Sequence, residues 1–298
     1  MSPRVDQLAA AFQADRARLT RIAYAVLGSY TEAEDVVSDV WLRLVRADAV
    51  QAIRDLEAWA TIAVGRAALD AYRSARRQRE RYVGPWLPEP FVAEGRTLDP
   101  ADRVTLDETV SFALLVVLES LTPAERTSWV LHELFGMPFA EIADVVGRSP
   151  AAVRQLASRA RARLRAQAPR LNVDAAEHSR AVTSFLQAAA GGRLAELIAV
   201  LDPAVVLTSD GGGQVSAARR PIHGADRVAR FVLGIAAKYG DRQQVRPVLV
   251  NGAWGLAVSE EGRLTNVMAI SVRAGRIARI DLIRAPGKLA RGAAIPPR

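Results

Sequence analysis

The sequence predicts a multidomain protein: two all-α helical modules, the second carrying a helix-turn-helix, followed by an α+β domain whose curved, mostly antiparallel sheet wraps on helices. Three observations carry this expectation. Residues Asp6 to Arg81 space their apolar side chains helically and show no strand-like alternation. Pro138 to Leu164 has the stop, turn and recap order of a helix-turn-helix. Beyond Leu171, short β-rich runs alternate with glycine-rich turns. The length of 298 residues is a prior of two or three domains, each able to bury a real core. The expected boundaries are 1–81, a linker at 82–98, then 99–170 and 171–298.

In the first module, Thr31 and Glu34 predict a capping box. Ala33, Val36, Val37, Val40, Trp41 and Leu44 then recur as one buried helical stripe. Glu32, Asp35 and Asp39 form an acidic ridge on the exposed side. A second long helix is expected from about Glu57 to Arg81, with Arg66, Arg73, Arg76 and Arg77 along it. Trp59 at its start can be read either as core or as a stacking platform for an unpaired base.

Tyr82 to Leu98, YVGPWLPEPFVAEGRTL, breaks the helical pattern with three prolines and two glycines. Fully extended, such a linker reaches roughly 55 Å. A helix opening at Asp99-Pro100 is expected to include Val104, Val110, Ala113, Leu114, Val117 and Leu118, and Thr122 with Glu125 predicts a second capping box. In the helix-turn-helix, Phe139, Ile142, Ala143 and Val146 form one apolar face, Gly147 supplies the left-handed stop, Ser149 caps the next helix and Pro150 sits in its first turn. Val153, Leu156 and Ala157 dock that helix. Its outward side carries Arg154, Gln155, Ser158 and Arg159, side chains that reach base edges and phosphates in a major groove, with Arg148 and Ser149 at the turn before it.

In the last domain, Asp174 and Glu177 predict a helix cap. The runs AVVLTS, QVSAA, QQVRPVLV, WGLAVS, LTNVMAISV and RIARIDLIR are the candidate strands, with Asn251-Gly252 as a hairpin turn and a helix from about Ala225 to Lys238.

Composition narrows the chemistry. Cysteine is absent, which excludes disulfides, thiolate zinc sites, iron-sulfur clusters and a cysteine nucleophile. The three histidines are scattered, so neither a metal nor any other cofactor is expected. No apolar run reaches membrane-spanning length and no basic leader precedes a hydrophobic block, so a soluble cytoplasmic protein without a membrane partner is expected. The formal net charge is +8, and all but two of the 40 basic residues are arginine. GC-rich codon usage alone produces such a bias, so position must decide. From Val145 to Val173 there are seven arginines and no acidic residue. That concentration on the proposed recognition helix points to nucleic acid.

Two basic DNA-facing modules joined by an extensible linker, the first bearing an acidic ridge, resemble a bacterial sigma factor. LTRIAYAVLGSYTEAEDVVSDVWLRL with LEAWATIAVGRAALDAYRSARR is similar to the first conserved region of extracytoplasmic-function sigma factors, and LTPAERTSWVLHELFGMPFAEIADVVGRSPAAVRQLASRARARL to their fourth. The resemblance covers residues 1 to about 168. It implies promoter recognition and transcription initiation with core RNA polymerase and no covalent chemistry. Asp35 and Asp39 would face the polymerase, Arg66, Arg73, Arg76 and Arg77 the −10 element, and Arg148, Ser149, Arg154, Gln155, Ser158 and Arg159 the −35 major groove.

WLPEP at Trp86 to Pro90, SDGGGQ at Ser209 to Gln214, and RRPIHG resemble the sigma factors with a fused SnoaL-like domain, a cystatin-like curved-sheet fold. Those proteins usually have Lys at the position of Gln214, and Asn-Pro-Asp-Lys-Leu where this chain has Ala285 to Leu289. The resemblance implies a built-in regulator in intramolecular contact with the sigma modules. Trp86, Leu87, Asp210, Gly211, Gly212, Gly213 and Lys288 are the candidate interdomain residues. Trp86 and Leu87 either anchor that contact, pack against polymerase, or stay partly exposed. An unknown small-molecule ligand of the domain, and a helix-turn-helix regulator carrying a ligand-sensing or enzymatic domain, are the alternatives.

Overall fold

The computed structural model describes residues 3–79, 82–93, 110–167 and 174–289. The helix expected at Asp99 begins outside these residues. Among the described residues the chain divides into two compact units, one of 3–79, 110 and 115–167, the other of 82–93, 111–114 and 174–289. No helix among them is long and apolar enough to cross a membrane.

The first unit is all-helical. Helices α1 (Pro3–Leu27), α2 (Tyr30–Val50) and α3 (Leu56–Arg79) form its first part. The expected stripe Ala33, Val36, Val37, Val40 and Leu44 is buried, while Trp41 is half-buried and meets Phe12 with ring centroids 5.3 Å apart. The capping box expected at Thr31 is not where α2 starts. Ser29 is the cap, its hydroxyl accepting from the Glu32 N–H at 3.2 Å, so Thr31 already lies inside the helix. A serine two residues earlier, just past the left-handed Gly28 (φ 71°), captures the free N–H first.

Helices α4 (Phe112–Leu118), of which 115–118 belong to this unit, α5 (Pro123–Trp129), α6 (Phe139–Val146) and α7 (Pro150–Gln167) follow, with a π-helical turn at Val130–Leu134. The capping box of Thr122 and Glu125 is formed as expected. Val110 lies before α4 rather than within it, because the Ser111 hydroxyl accepts from the Leu114 N–H at 3.2 Å and starts the helix there. Gly65 lets α3 and α6 approach closely: a Cβ there would stand 3.1 Å from a methyl of Val145.

The second unit is α+β. Helices α8 (Ala175–Ala190), α9 (Leu194–Val200) and α10 (Ala225–Tyr239) cover one face of a seven-stranded sheet. Its strands are β1 (Val92–Ala93), β2 (Leu201–Asp210), β3 (Ile222–His223), β4 (Gln243–Val250), β5 (Ala253–Glu260), β6 (Arg263–Arg273) and β7 (Arg276–Ile283), in the spatial order β1-β4-β5-β6-β7-β2-β3. All neighbours are antiparallel except β2 and β7. Phe185, Leu197, Val205, Leu207, Val228, Leu256, Ile270 and Ile280 centre the core between helices and sheet.

Asn251 (φ 48°) and Gly252 (φ 78°) make the expected hairpin turn, both left-handed as a tight β-turn of this kind requires. QVSAA is not a strand. Gly212 and Gly213 are left-handed and Val215 N–H returns to Gly211 O at 3.1 Å, so the segment coils on itself and β3 pairs with β2 in its place. The stretch expected as a linker is laid on the sheet over its described part: Leu87, Pro88, Glu89 and Pro90 are buried, and β1 adds an edge strand to β4.

Candidate nucleic-acid interface and carboxylate clasp

The recognition-helix surface is built by its turn. Gly147 takes the left-handed conformation (φ 70°, ψ 42°), and its N–H and that of Arg148 both donate to Ala143 O. The Ser149 hydroxyl then accepts from the Ala152 N–H at 3.3 Å and Pro150 opens α7. Val153, Leu156, Ala157, Ala160 and Leu164 are buried on one side of that helix, which forces Arg154, Gln155, Ser158 and Arg159 outward; all four are exposed, as are Arg148 and Ser149.

Two of these arginines are held in place. The Arg154 guanidinium sits 5.3 Å from the ring centroid of Phe139, and Arg159 Nε is 3.5 Å from the buried carboxylate of Glu125. Arg163 reaches the same carboxylate at 2.9 Å. Burial alone would push the Glu125 carboxyl up, yet hydrogen bonds from the Thr122 backbone and hydroxyl, with Arg163 and Arg159, bring it below its ordinary value. The result is a row of cations on a rigid helix, suited to phosphates and base edges.

Asp35 and Asp39 are exposed on α2, opposite its buried stripe. The four arginines assigned to α3 divide into two pairs. Arg73 and Arg77 are exposed, with Arg73 3.3 Å from Asp70. Arg66 Nε donates to Asp144 O at 3.0 Å, and Arg76 Nη1 to Leu121 O at 2.8 Å. Both acceptors belong to the second helical module, so this arrangement engages the two guanidinium groups within the protein.

A buried cluster that sequence reasoning missed explains why those carbonyls are near. Arg126 is completely buried and donates to Tyr72 Oη at 3.1 Å, to Ala25 O at 3.2 Å and to the Glu119 carboxylate. Glu119 also accepts from Arg79 at 3.0 Å. Burial alone would favour loss of the Arg126 proton, but Glu119 and Tyr72 hold its pKa above the ordinary value. Arg126 in the second module thus bonds to α1 and α3 of the first. Nothing in PAERTSWVL distinguishes this arginine from a surface one, because Tyr72 and Ala25, which enclose it besides Glu119, are 54 and 101 residues away.

The candidate interdomain residues all fall within the second unit, where the Asp210 carboxylate bonds directly to Leu87, Gly212 and Lys288 among them. Asp210, fully buried at the end of β2, accepts from Tyr82 Oη at 2.5 Å and the Gly212 N–H at 2.9 Å on one oxygen. Its other oxygen accepts from the Leu87 N–H at 2.9 Å and Lys288 Nζ at 2.6 Å. Lys288 also donates to Leu87 O and lies 4.0 Å from the Trp86 ring centroid. Gly211 is needed because a Cβ there would stand 2.4 Å from Val215 O. Gly212 and Gly213 supply the two left-handed residues that turn the chain away. Tyr82 is the member that sequence reasoning did not single out; its place inside the supposed linker was its only signal.

Comparison with known proteins bears on both units. Residues 11–78 match the family model Sigma-70 region 2, and residues 111–164 match Sigma-70, region 4. The chain is 39% identical over 289 residues to "ECF RNA polymerase sigma factor SigJ" of Mycobacterium tuberculosis, covering 93% of this chain and 91% of that protein. It is 36% identical over 287 residues to "Probable ECF RNA polymerase sigma factor SigI" of the same species, covering 95% of each. The crystal structure of M. tuberculosis SigJ superposes with a TM-score of 0.77 at 36% identity, covering 95% of this chain and 98% of that one.

Proposed function

Because the chain belongs to the extracytoplasmic-function RNA polymerase sigma factors, binding core polymerase and promoter DNA to initiate transcription, we propose that its SnoaL-like domain regulates that activity by holding the segment between the two sigma regions. The Asp210 carboxylate carries this reading: Tyr82, Leu87 and Lys288 converge on it, so one buried side chain joins the start of the segment to the domain, beside the pairing of β1 with β4. A tethered contact of this kind acts at an effective concentration of about millimolar, so modest complementarity keeps it closed.

Within this reading Arg148, Ser149, Arg154, Gln155, Ser158 and Arg159 contact the −35 element, Arg66, Arg73, Arg76 and Arg77 the −10 region, and Asp35 and Asp39 the polymerase. Arg66 and Arg76 each give one nitrogen to Asp144 O or Leu121 O, which leaves their other guanidinium N–H groups for DNA. Residues 1–81 and 99–170 are the sigma modules, 82–98 the connecting segment and 171–298 the regulator. The regulator is read as non-catalytic because its buried carboxylates are engaged: Asp210 by the four donors above, and Asp281 by Arg279 at 2.7 Å.

Run-off transcription with core polymerase tests the proposal. Asp210→Asn keeps the shape of the side chain and removes its charge. A change in transcript yield of threefold or more, with binding to a −35 duplex unaltered, is the expected result. Equal yields from wild type and variant would refute the regulatory role. Failure of wild type to initiate from any promoter would instead remove the sigma reading.

A further inference from the structure

The second unit contains a cavity of about 190 Å³ that the clasp does not use. It opens where the β5–β6 ladder ends. The last pair is Gly255 with Ala269; beyond it Ala253 and Trp254 pair only with β4, and Ile270 to Val272 only with β7. Among the described residues, Ser271, the start of α8 (Ala175, His178) and Ser111 to Ala113 also line it.

The lining specifies the occupant. Phe112 and Trp254 are aromatic, and Val250, Ala253, Ala269, Ile270 and Val272 are aliphatic. Among the described residues no Asp, Glu, Lys or Arg lines the cavity, so a charged ligand would lose its hydration with no countercharge from them. His178 is buried and bonds through Nε2 to Ile270 O at 2.9 Å. A carbonyl can only accept, so Nε2 carries the proton, and in the neutral ring Nδ1 is then an acceptor. Nδ1 has no partner among the described residues. The volume matches a single ring, since an apolar cavity of roughly 150 Å³ suffices for benzene.

We infer that this cavity binds a small neutral single-ring aromatic compound bearing one hydroxyl or N–H donor, the ring between Phe112 and Trp254 and the donor on His178. Ser111 and Phe112 stand directly before and at the start of α4, so the ligand touches the chain where it enters the second sigma region. This inference does not depend on the regulatory role of Asp210.

Titration calorimetry of the full chain with phenol tests it, with toluene and benzoate as comparisons. Phenol is expected to bind with a Kd of about 1 mM or tighter. Toluene, which lacks the donor, should bind at least about tenfold more weakly, and benzoate, which brings an unpaired charge, should give no signal. Ala253→Leu fills the cavity from the first residue of β5, beside the hairpin turn, and should abolish the phenol signal while leaving the thermal unfolding midpoint within a few degrees. His178→Phe should bring phenol down to the level of toluene. Absence of phenol binding, toluene binding as tight as phenol, or phenol binding unaffected by Ala253→Leu would each overturn the assignment.

Discussion

The backbone N–H of Leu87 donates to the carboxylate of Asp210 at 2.9 Å, across 123 residues of sequence. Apart from proline, which has no N–H, no exchange of the Leu87 side chain removes this main-chain donor, so the contact is tested from the Asp210 side. Asp210→Ala leaves Lys288 and Tyr82 without their shared acceptor, and removing one partner of such a buried pair costs about 3–5 kcal/mol. We expect earlier unfolding of the second unit in urea and faster proteolytic cleavage between Tyr82 and Phe91. Unchanged protection of that stretch would mean that the remaining contacts, Trp86 on Lys288 and β1 on β4, hold it without the carboxylate.

Arg126 and Glu119 make a second prediction. Arg126→Met removes the buried cation and strips Glu119 of one of its two arginines, which should destabilise the first unit by about 3–5 kcal/mol in chemical denaturation. The double variant Arg126→Met with Glu119→Leu removes both charges and should recover a large part of that loss. An additive double variant would show that the two side chains are not coupled.

On the recognition helix, Arg154→Ala and Arg159→Ala should each weaken binding to a −35 duplex by about 1–3 kcal/mol if the side chain reaches a base, or flatten the salt dependence by about one unit if it reaches a phosphate. Equilibrium titration at several salt concentrations separates the two cases. Affinity and salt slope both equal to wild type would remove the residue from the interface.

Glu125 provides the pH dependence. Its folded pKa lies below the ordinary carboxylate value, so the stability it contributes is present above that value and is lost as pH falls through the lowered one. Gln at this position keeps the capping box but carries no charge for Arg159 and Arg163. Urea unfolding should therefore show wild type more stable than Glu125→Gln near neutral pH, with the gap closing in acid. A gap independent of pH would assign the whole effect to the cap.

Sequence legibility followed the range of the interaction. The helix-turn-helix could be read because Gly147, Ser149 and Pro150 act on their immediate neighbours and the apolar spacing repeats every turn. The exposed Arg154, Gln155, Ser158 and Arg159 follow from the buried residues between them. The cap of α2 was misplaced because Ser29 and Thr31 are both competent, and only the backbone path after Gly28 chooses between them. QVSAA has strand composition, yet the left-handed glycines before it turn the chain out of the sheet.

By itself the sequence determined the order of helical modules and sheet domain, the recognition-helix face and the absence of thiol chemistry, all properties of residue type and short spacing. The tertiary structure decided that Arg126 is buried rather than solvated, that Arg66 and Arg76 bond to carbonyls of the second module, and that the Pro-rich segment is a strand-forming part of the sheet domain. The physical reason is the same in each case. A guanidinium or a backbone amide has the same local sequence whether water or a buried acceptor satisfies it, and the acceptor is supplied by chain more than 40 residues away.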